Sequence, residues 1–417
     1  MFALWLSVPE GRIMRKTLAA AIALFVGISG AVAQDMRGQP VADRPRSDYD
    51  PVGLRAGGFL VLPSIAVEAS YDDNIYAQES RKDDDYIFII APKLLIRSDW
   101  NVHYMEFHAA AELGRHHDFT AEDYDDYQAG LEGRLDIAQG WSATATSDYR
   151  RAHDERGTPS DAGGREPTEY DMVYSALGLN RTETRITLRA LGTMTYYNYD
   201  DTPGAGATII DQDFRDRTEY AGSVRLGYEF MPDVNTFIQG NLNWRDYDSG
   251  NRDSDGYRLD TGFAFDFGGI TTGEIYAGYR SQTYDSPGFS SQSGFSYGGS
   301  LLWNPSGLTS VQLSLINDLN ESTLAGASGY ISNGASLQID HELRRNVLIG
   351  GRIGYTENDY RGLDRLEKMW TAGAKADYLL NRSLRLGVSY TLTDRSVNVT
   401  GQDYTRNQVL LSLRGSL

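Results

Sequence analysis

The sequence predicts an all-β protein, a transmembrane antiparallel up-and-down β-barrel, and three observations predict it. Apolar and polar residues alternate with a period of two from residue 57 to the C-terminus. Tight turns and longer, carboxylate-rich loops interrupt that alternation in strict succession. A basic, then apolar, then small-residue segment stands at the N-terminus, as in exported proteins.

That leader runs to Ala33, with Arg15 and Lys16 before the apolar stretch and Ala31–Ala33 before the cut. Residues 1–33 read as a signal peptide, and Met14 heads the pattern as an alternative start. Residues 34–56 are polar, proline-bearing and aperiodic, which reads as a periplasmic tail or a small plug. Residues 57–417 form the barrel.

Beyond the leader no apolar run approaches the roughly 20 residues a membrane helix needs, so helical insertion is excluded. Twenty-seven tyrosines and 44 glycines suit strands and short turns. The absence of cysteine excludes disulfides and thiolate metal sites. A net charge of −18 argues against a nucleic-acid partner, which needs a basic face.

The short breaks include Ser98–Asn101, Pro232–Asn235, Gly268–Thr271 and Leu343–Asn346 and read as periplasmic turns. Between them fall the external loops, among them Asp72–Asp84, His153–Pro167 and Asp200–Asp211. The rhythm gives about eighteen strands, or sixteen if the weakly patterned stretch Thr168–Asp200 is no hairpin. An even count lets both ends face the periplasm.

Within strands the faces separate. Tyr220, Val224, Leu226, Tyr228 and Phe230 share one face, while Ser223, Arg225, Gly227 and Glu229 share the other. A soluble barrel would alternate too. The leader, the alternating turn lengths, the aromatic strand ends and an apolar final strand together select the membrane form. That final strand, 407–417, places Val409, Leu411, Leu413 and Leu417 on one face, the pattern that barrel assembly machinery reads, with Leu417 where an aromatic usually stands.

Eighteen strands enclose a lumen too wide for side chains to fill. Its expected lining includes Arg134, Arg189, Arg225, Arg258, Arg280, Arg352 and Arg385, facing Glu112, Glu132, Glu229, Asp260 and Asp266. A wall of both signs suits neutral or weakly acidic hydrophilic solutes more than one selected ion. The bland account is that any wide barrel needs a wettable wall.

No catalytic constellation, cofactor motif or metal motif stands out, so an enzyme is not expected. His116, His117 and Asp118, and His153 with Asp154 and Glu155, collect at loop ends as polar loops generally do. Asp72, Asp73, Asn74 and Asp83–Asp85 offer oxygens for calcium but lack the glycine and distal glutamate of an EF-hand loop. Outer-membrane lipid and lipopolysaccharide are the expected surroundings.

The run RPRSDYDPVGLRAGGF, Arg44–Phe59, followed by Pro63 and by YDDNIYA, Tyr71–Ala77, resembles the type 2 β-barrel porins of Gram-negative bacteria. The resemblance implies an outer-membrane location and exopolysaccharide export, with periplasmic export components as partners. Sugar rings would slide on lumen aromatics, and Tyr197, Phe237 and Tyr276 fall on inferred inward faces. The other reading is a structural or adhesive barrel with a plugged lumen and binding loops.

Overall fold

The computed structural model describes residues 38–417 except 183–184, 251 and 325; the predicted signal peptide and residues 34–37 lie outside them. A short strand β1 (Leu54–Ala56) precedes the first wall strand, β2 (Phe59–Asp72). There follow β3 (Asp85–Ser98), β4 (Tyr104–His116), β5 (Tyr124–Ala138), β6 (Trp141–His153), β7 (Glu169–Arg181) and β8 (Ile186–Tyr199). Two short strands, β9 (Thr202–Pro203) and β10 (Ile209–Ile210), form a side hairpin within a loop.

The wall resumes with β11 (Arg217–Met231), β12 (Val234–Tyr247), β13 (Ser254–Phe267), β14 (Thr271–Tyr284) and β15 (Gln292–Ser306). It ends with β16 (Thr309–Asn320), β17 (Gly329–Arg344), β18 (Val347–Arg361), β19 (Leu366–Leu379), β20 (Leu384–Val397) and β21 (Tyr404–Ser416). Each wall strand pairs antiparallel with its sequence neighbours, and β2 pairs with β21 from Ser64↔Ser416 to Asp72↔Gln408. That last ladder closes eighteen strands into a barrel in which every wall strand has a partner on both sides, as a membrane requires.

The period-two pattern decides the faces. Val224, Leu226 and Tyr228 are exposed on one face of β11, while Arg225 and Gly227 between them are more covered. The outward face is apolar all round, because in lipid exposure of such side chains costs nothing. Aromatics gather toward its two ends. Tyr220, Trp244, Tyr257, Tyr279 and Phe295 stand toward the long loops, and Phe230, Phe267 and Trp303 toward the short turns.

Turns at one end are as short as Pro232–Asp233, where Asp233 takes φ 66° to close the hairpin. Loops at the other end reach from 154 to 168. In outer-membrane barrels the short turns face the periplasm and the longer loops the outside.

Candidate functional site: the lumen and its two mouths

The structure places all twelve candidate lining residues on the face opposite the apolar one. Arg225 donates through Nε to Gln239 Oε1 at 2.6 Å and through Nη1 to Glu274 Oε2 at 2.9 Å. Arg258 Nε lies 2.8 Å from Asp260 Oδ2, and Asp260 also accepts Ser296 Oγ at 2.7 Å. Glu112 accepts the Tyr124 hydroxyl at 2.7 Å. Arg134 pairs with Asp136, and the neighbouring Glu132 faces Glu106 across the β4–β5 ladder.

Arg189 sits directly opposite Arg225, and Arg258 directly opposite Arg280. Like charges in that position repel, so the side chains turn to other partners: Arg225 to Glu274, and Arg280 to Asn317. Arg385 likewise stands opposite Arg414, and Arg352 is exposed on the inner face of β18. Glu229 is exposed at the turn end. Asp266 is committed to its turn, where it accepts Gly269 N–H at 2.7 Å.

Arginine on aromatic is the recurrent motif of this wall. Arg225 lies 3.8 Å above the Phe237 ring, Arg217 4.2 Å above Tyr197, Arg215 3.7 Å above Tyr199, and Arg258 5.9 Å from the Tyr276 centroid. The sequence singled out these rings on β8, β12 and β14 except Tyr199. Their guanidinium partners come from β11, β13 and the loop before β11, so only register joins them.

The external mouth is crossed by the loop 154–168. It leaves β6 with Asp154, whose Oδ2 meets Arg215 Nη2 at 2.7 Å. Arg156 then reaches Glu122, with Nε 2.9 Å from Oε2 and Nη2 2.6 Å from Oε1. The next residues meet other sectors of the wall: Gly157 O accepts Arg395 Nη1 at 3.0 Å, and Pro159 O accepts Thr323 Oγ1 at 2.9 Å. Gly157 has φ +76°, and a Cβ there would stand 2.4 Å from Ala77 Cβ, so only glycine lets the loop pass. Burial pushes the Asp154 carboxyl up against the opposing pull of Arg215.

Behind this loop lies a cavity bounded by Ser160, Tyr199, Phe214, Arg217, Arg252 and Glu321. Nothing in the sequence pointed to the infolding, because Asp154, Arg156 and Asp161 look like ordinary solvated loop charge.

At the periplasmic end, residues 38–53 run along the inner rim past several hairpins. Gly53 N–H donates to Leu417 O, and Arg382 Nε donates to Ser47 O at 3.1 Å. Arg46 pairs with Glu342 at 3.2 Å, Arg44 donates to Gly307 O at 2.6 Å, and Val41 N–H donates to Ser310 Oγ at 2.6 Å. Glu342 and Ser310 point inward, so the tail lies against the inner wall. Desolvation and the Arg46 charge lower the pKa of Arg44.

The acidic loop residues singled out for calcium serve other partners. Asp72 accepts Arg406 Nε at 2.7 Å and Gln408 Nε2 at 2.6 Å, and Asp85 accepts the Asp118 and Phe119 amides. Among the described residues one exposed trio, Asp201, Asp211 and Asp213, brings carboxylate oxygens together. His153 is bound to Asp126 at 3.0 Å and lies tilted against the Tyr124 ring, with centroids 4.3 Å apart.

The sequence model of the family described as "Putative beta-barrel porin 2" matches residues 46–417. The chain belongs to that family. It is a porin-like outer-membrane β-barrel. Among solved structures it is similar to Pseudomonas aeruginosa OccK3 (OpdO), at 14% identity over 86% of this chain and 96% of that one, with a TM-score of 0.44. OpdK with vanillate, also from P. aeruginosa, gives 12% identity, coverage of 86% and 99%, and a TM-score of 0.45. P. aeruginosa OccK2 (OpdF) in complex with glucuronate gives 11%, 86% and 98%, and 0.46. No curated protein matches.

Proposed function

We propose that this porin-family barrel carries hydrophilic solutes through its lumen, and that exopolysaccharide chains are the cargo its inner wall suits best. The supporting observation is the series of guanidiniums laid on rings, from Arg225 on Phe237 near the turn end to Arg215 on Tyr199 at the loop end. Such pairs offer flat surfaces for the apolar face of a sugar ring and donors for its hydroxyls. The loop 154–168 acts as the external gate, and the rim tail 38–53 narrows the periplasmic mouth.

Export enters through the periplasm, so partners there would be components that deliver polymer. Cleavage after Ala33, recognition of the last strand by the assembly machinery and contact with lipopolysaccharide belong to the same reading. Deletion of the gene tests the cargo: loss of surface polysaccharide with unchanged small-solute uptake supports export, and the reverse supports general diffusion.

A second reading, a structural barrel with a plugged lumen, is favoured by the burial of the Arg156–Glu122 pair that pins the loop. Conductance after shortening that loop separates the two, since a gate opens and a structural plug leaves the barrel silent or unfolded.

A further inference from the structure

One seam of the barrel is not held by its ladder. β15 and β16 pair from Gly298↔Ile316 to Trp303↔Val311 and again at Ser306↔Thr309, but not beyond Gly298 toward the long loops. Both strands nevertheless continue there. Residues 292–297 stay in register with β14 up to Gln282↔Gln292, and residues 317–320 stay in register with β17 up to Asn320↔Tyr330. No other neighbouring pair among the described residues diverges over so long a stretch.

Unpaired backbone inside a membrane is costly, and side chains fill the gap instead. From the lumen side Arg280 reaches past β15 and donates to Asn317 O at 3.1 Å and to Asn317 Oδ1 at 2.7 Å. On the lipid side the Tyr297 hydroxyl and Asn317 Nδ2 both donate to Asn333 Oδ1, at 3.2 and 2.7 Å. At the loop end Gln292 Nε2 donates to Ser328 Oγ at 3.3 Å. Phe295, 65% exposed, stands beside this gap in register with Tyr279, at the external aromatic belt.

We propose that the external half of the β15–β16 seam is a lateral portal between the lumen and the outer leaflet, latched by Arg280, for an amphiphile with an anionic head. Opening it breaks no ladder, because each strand keeps its other partner. Three side-chain hydrogen-bond sets are exchanged for the head of the incoming molecule. The Arg280 guanidinium, freed from Asn317 and turned from Asp318, whose Oδ1 lies 3.8 Å from its Nη1, offers two parallel donors to a phosphate or carboxylate, while the hydrocarbon tail stays against Phe295 in lipid. The portal rests on the outer-membrane barrel and not on solute conduction, so a non-conducting barrel that still labels at this seam would leave it standing.

The test uses the full chain purified from outer membranes and reconstituted in phospholipid vesicles containing dodecyl phosphate with a diazirine in its chain. Photolabelling should fall on residues 292–297 and 317–320 about ten-fold above the fully paired β13–β14 seam, and above labelling by the matching uncharged dodecanol probe. The chain has no cysteine, so Tyr297→Cys with Asn317→Cys places a single disulfide on the next rung of the ladder. Oxidation should abolish the seam labelling and reduction of the same sample should restore it, which controls for folding. In Arg280→Gln the preference for phosphate over alcohol should vanish while amide exchange at 317–320 rises. Equal labelling of all seams, labelling indifferent to the disulfide, or an unchanged phosphate preference in Arg280→Gln would each overturn the proposal.

Discussion

Arg156 and Glu122 form a two-point ion pair, at 2.9 and 2.6 Å, between the infolded loop and the loop that joins β4 to β5. Both side chains are almost wholly buried. Removing one partner of a buried pair strands the other and costs about 3–5 kcal/mol. Arg156→Ala is therefore expected to undock the loop without unfolding the wall. Limited proteolysis should cut between 154 and 168 in the variant only, and a cleavage pattern identical to wild type would show that the pair does not hold the loop.

The rim tail depends on Arg46, buried against Glu342 at 3.2 Å and bonded to Val41 O at 2.6 Å. Arg46→Ala should release the tail at a local cost of about 3 kcal/mol. Amide exchange of residues 41–50 should then rise toward that of free chain, while the ladders stay protected. Unchanged exchange would mean that Arg44 and the backbone contacts suffice.

Acidification should favour the docked external loop. The Asp154 carboxyl in the docked loop has its pKa raised by burial, which outweighs the Arg215 charge, whereas in an undocked loop it returns to its ordinary value. The docked form thus binds the proton more readily. Its stability grows as pH falls through the raised value and is lost as pH rises through it. Open probability measured from neutral pH down to about pH 4 should decline, given the ordinary carboxylate range. An increase on acidification would show that other loop carboxylates dominate.

The ring beneath Arg225 should matter to a sugar in the lumen. Phe237→Ala removes one platform, and the residence time of a neutral probe, maltohexaose, should shorten about three- to ten-fold, as loss of roughly 1 kcal/mol of stacking implies. Current fluctuations with the sugar added to one side measure this. Equal residence times in both proteins would take Phe237 out of the path.

Much of the wall was legible because the signal is local. Alternation along Tyr220–Phe230 or Leu384–Leu392 needs no knowledge of the partner strand, and short turns such as Pro232–Asp233 announce themselves. The lumen pairs were half legible: Tyr197, Phe237 and Tyr276 could be placed on the inner face, but their arginines lie on other strands or loops and need the register. The infolded loop was not legible at all, since Arg156 meets Glu122 and Asp154 meets Arg215 across long stretches of chain. The open seam was hidden as well, because Gln292–Tyr297 keeps its alternation although its partner has moved away.

The account stands most directly on single-channel conductance in planar bilayers, comparing the chain from Gln34 onward with a version in which residues 156–162 are replaced by a short glycine–serine link. Small, intermittent steps in the first and large, steady steps in the second are the predicted result, as a gate over a water-filled lumen requires. Silence from both proteins, each shown to be folded, would contradict a conducting lumen.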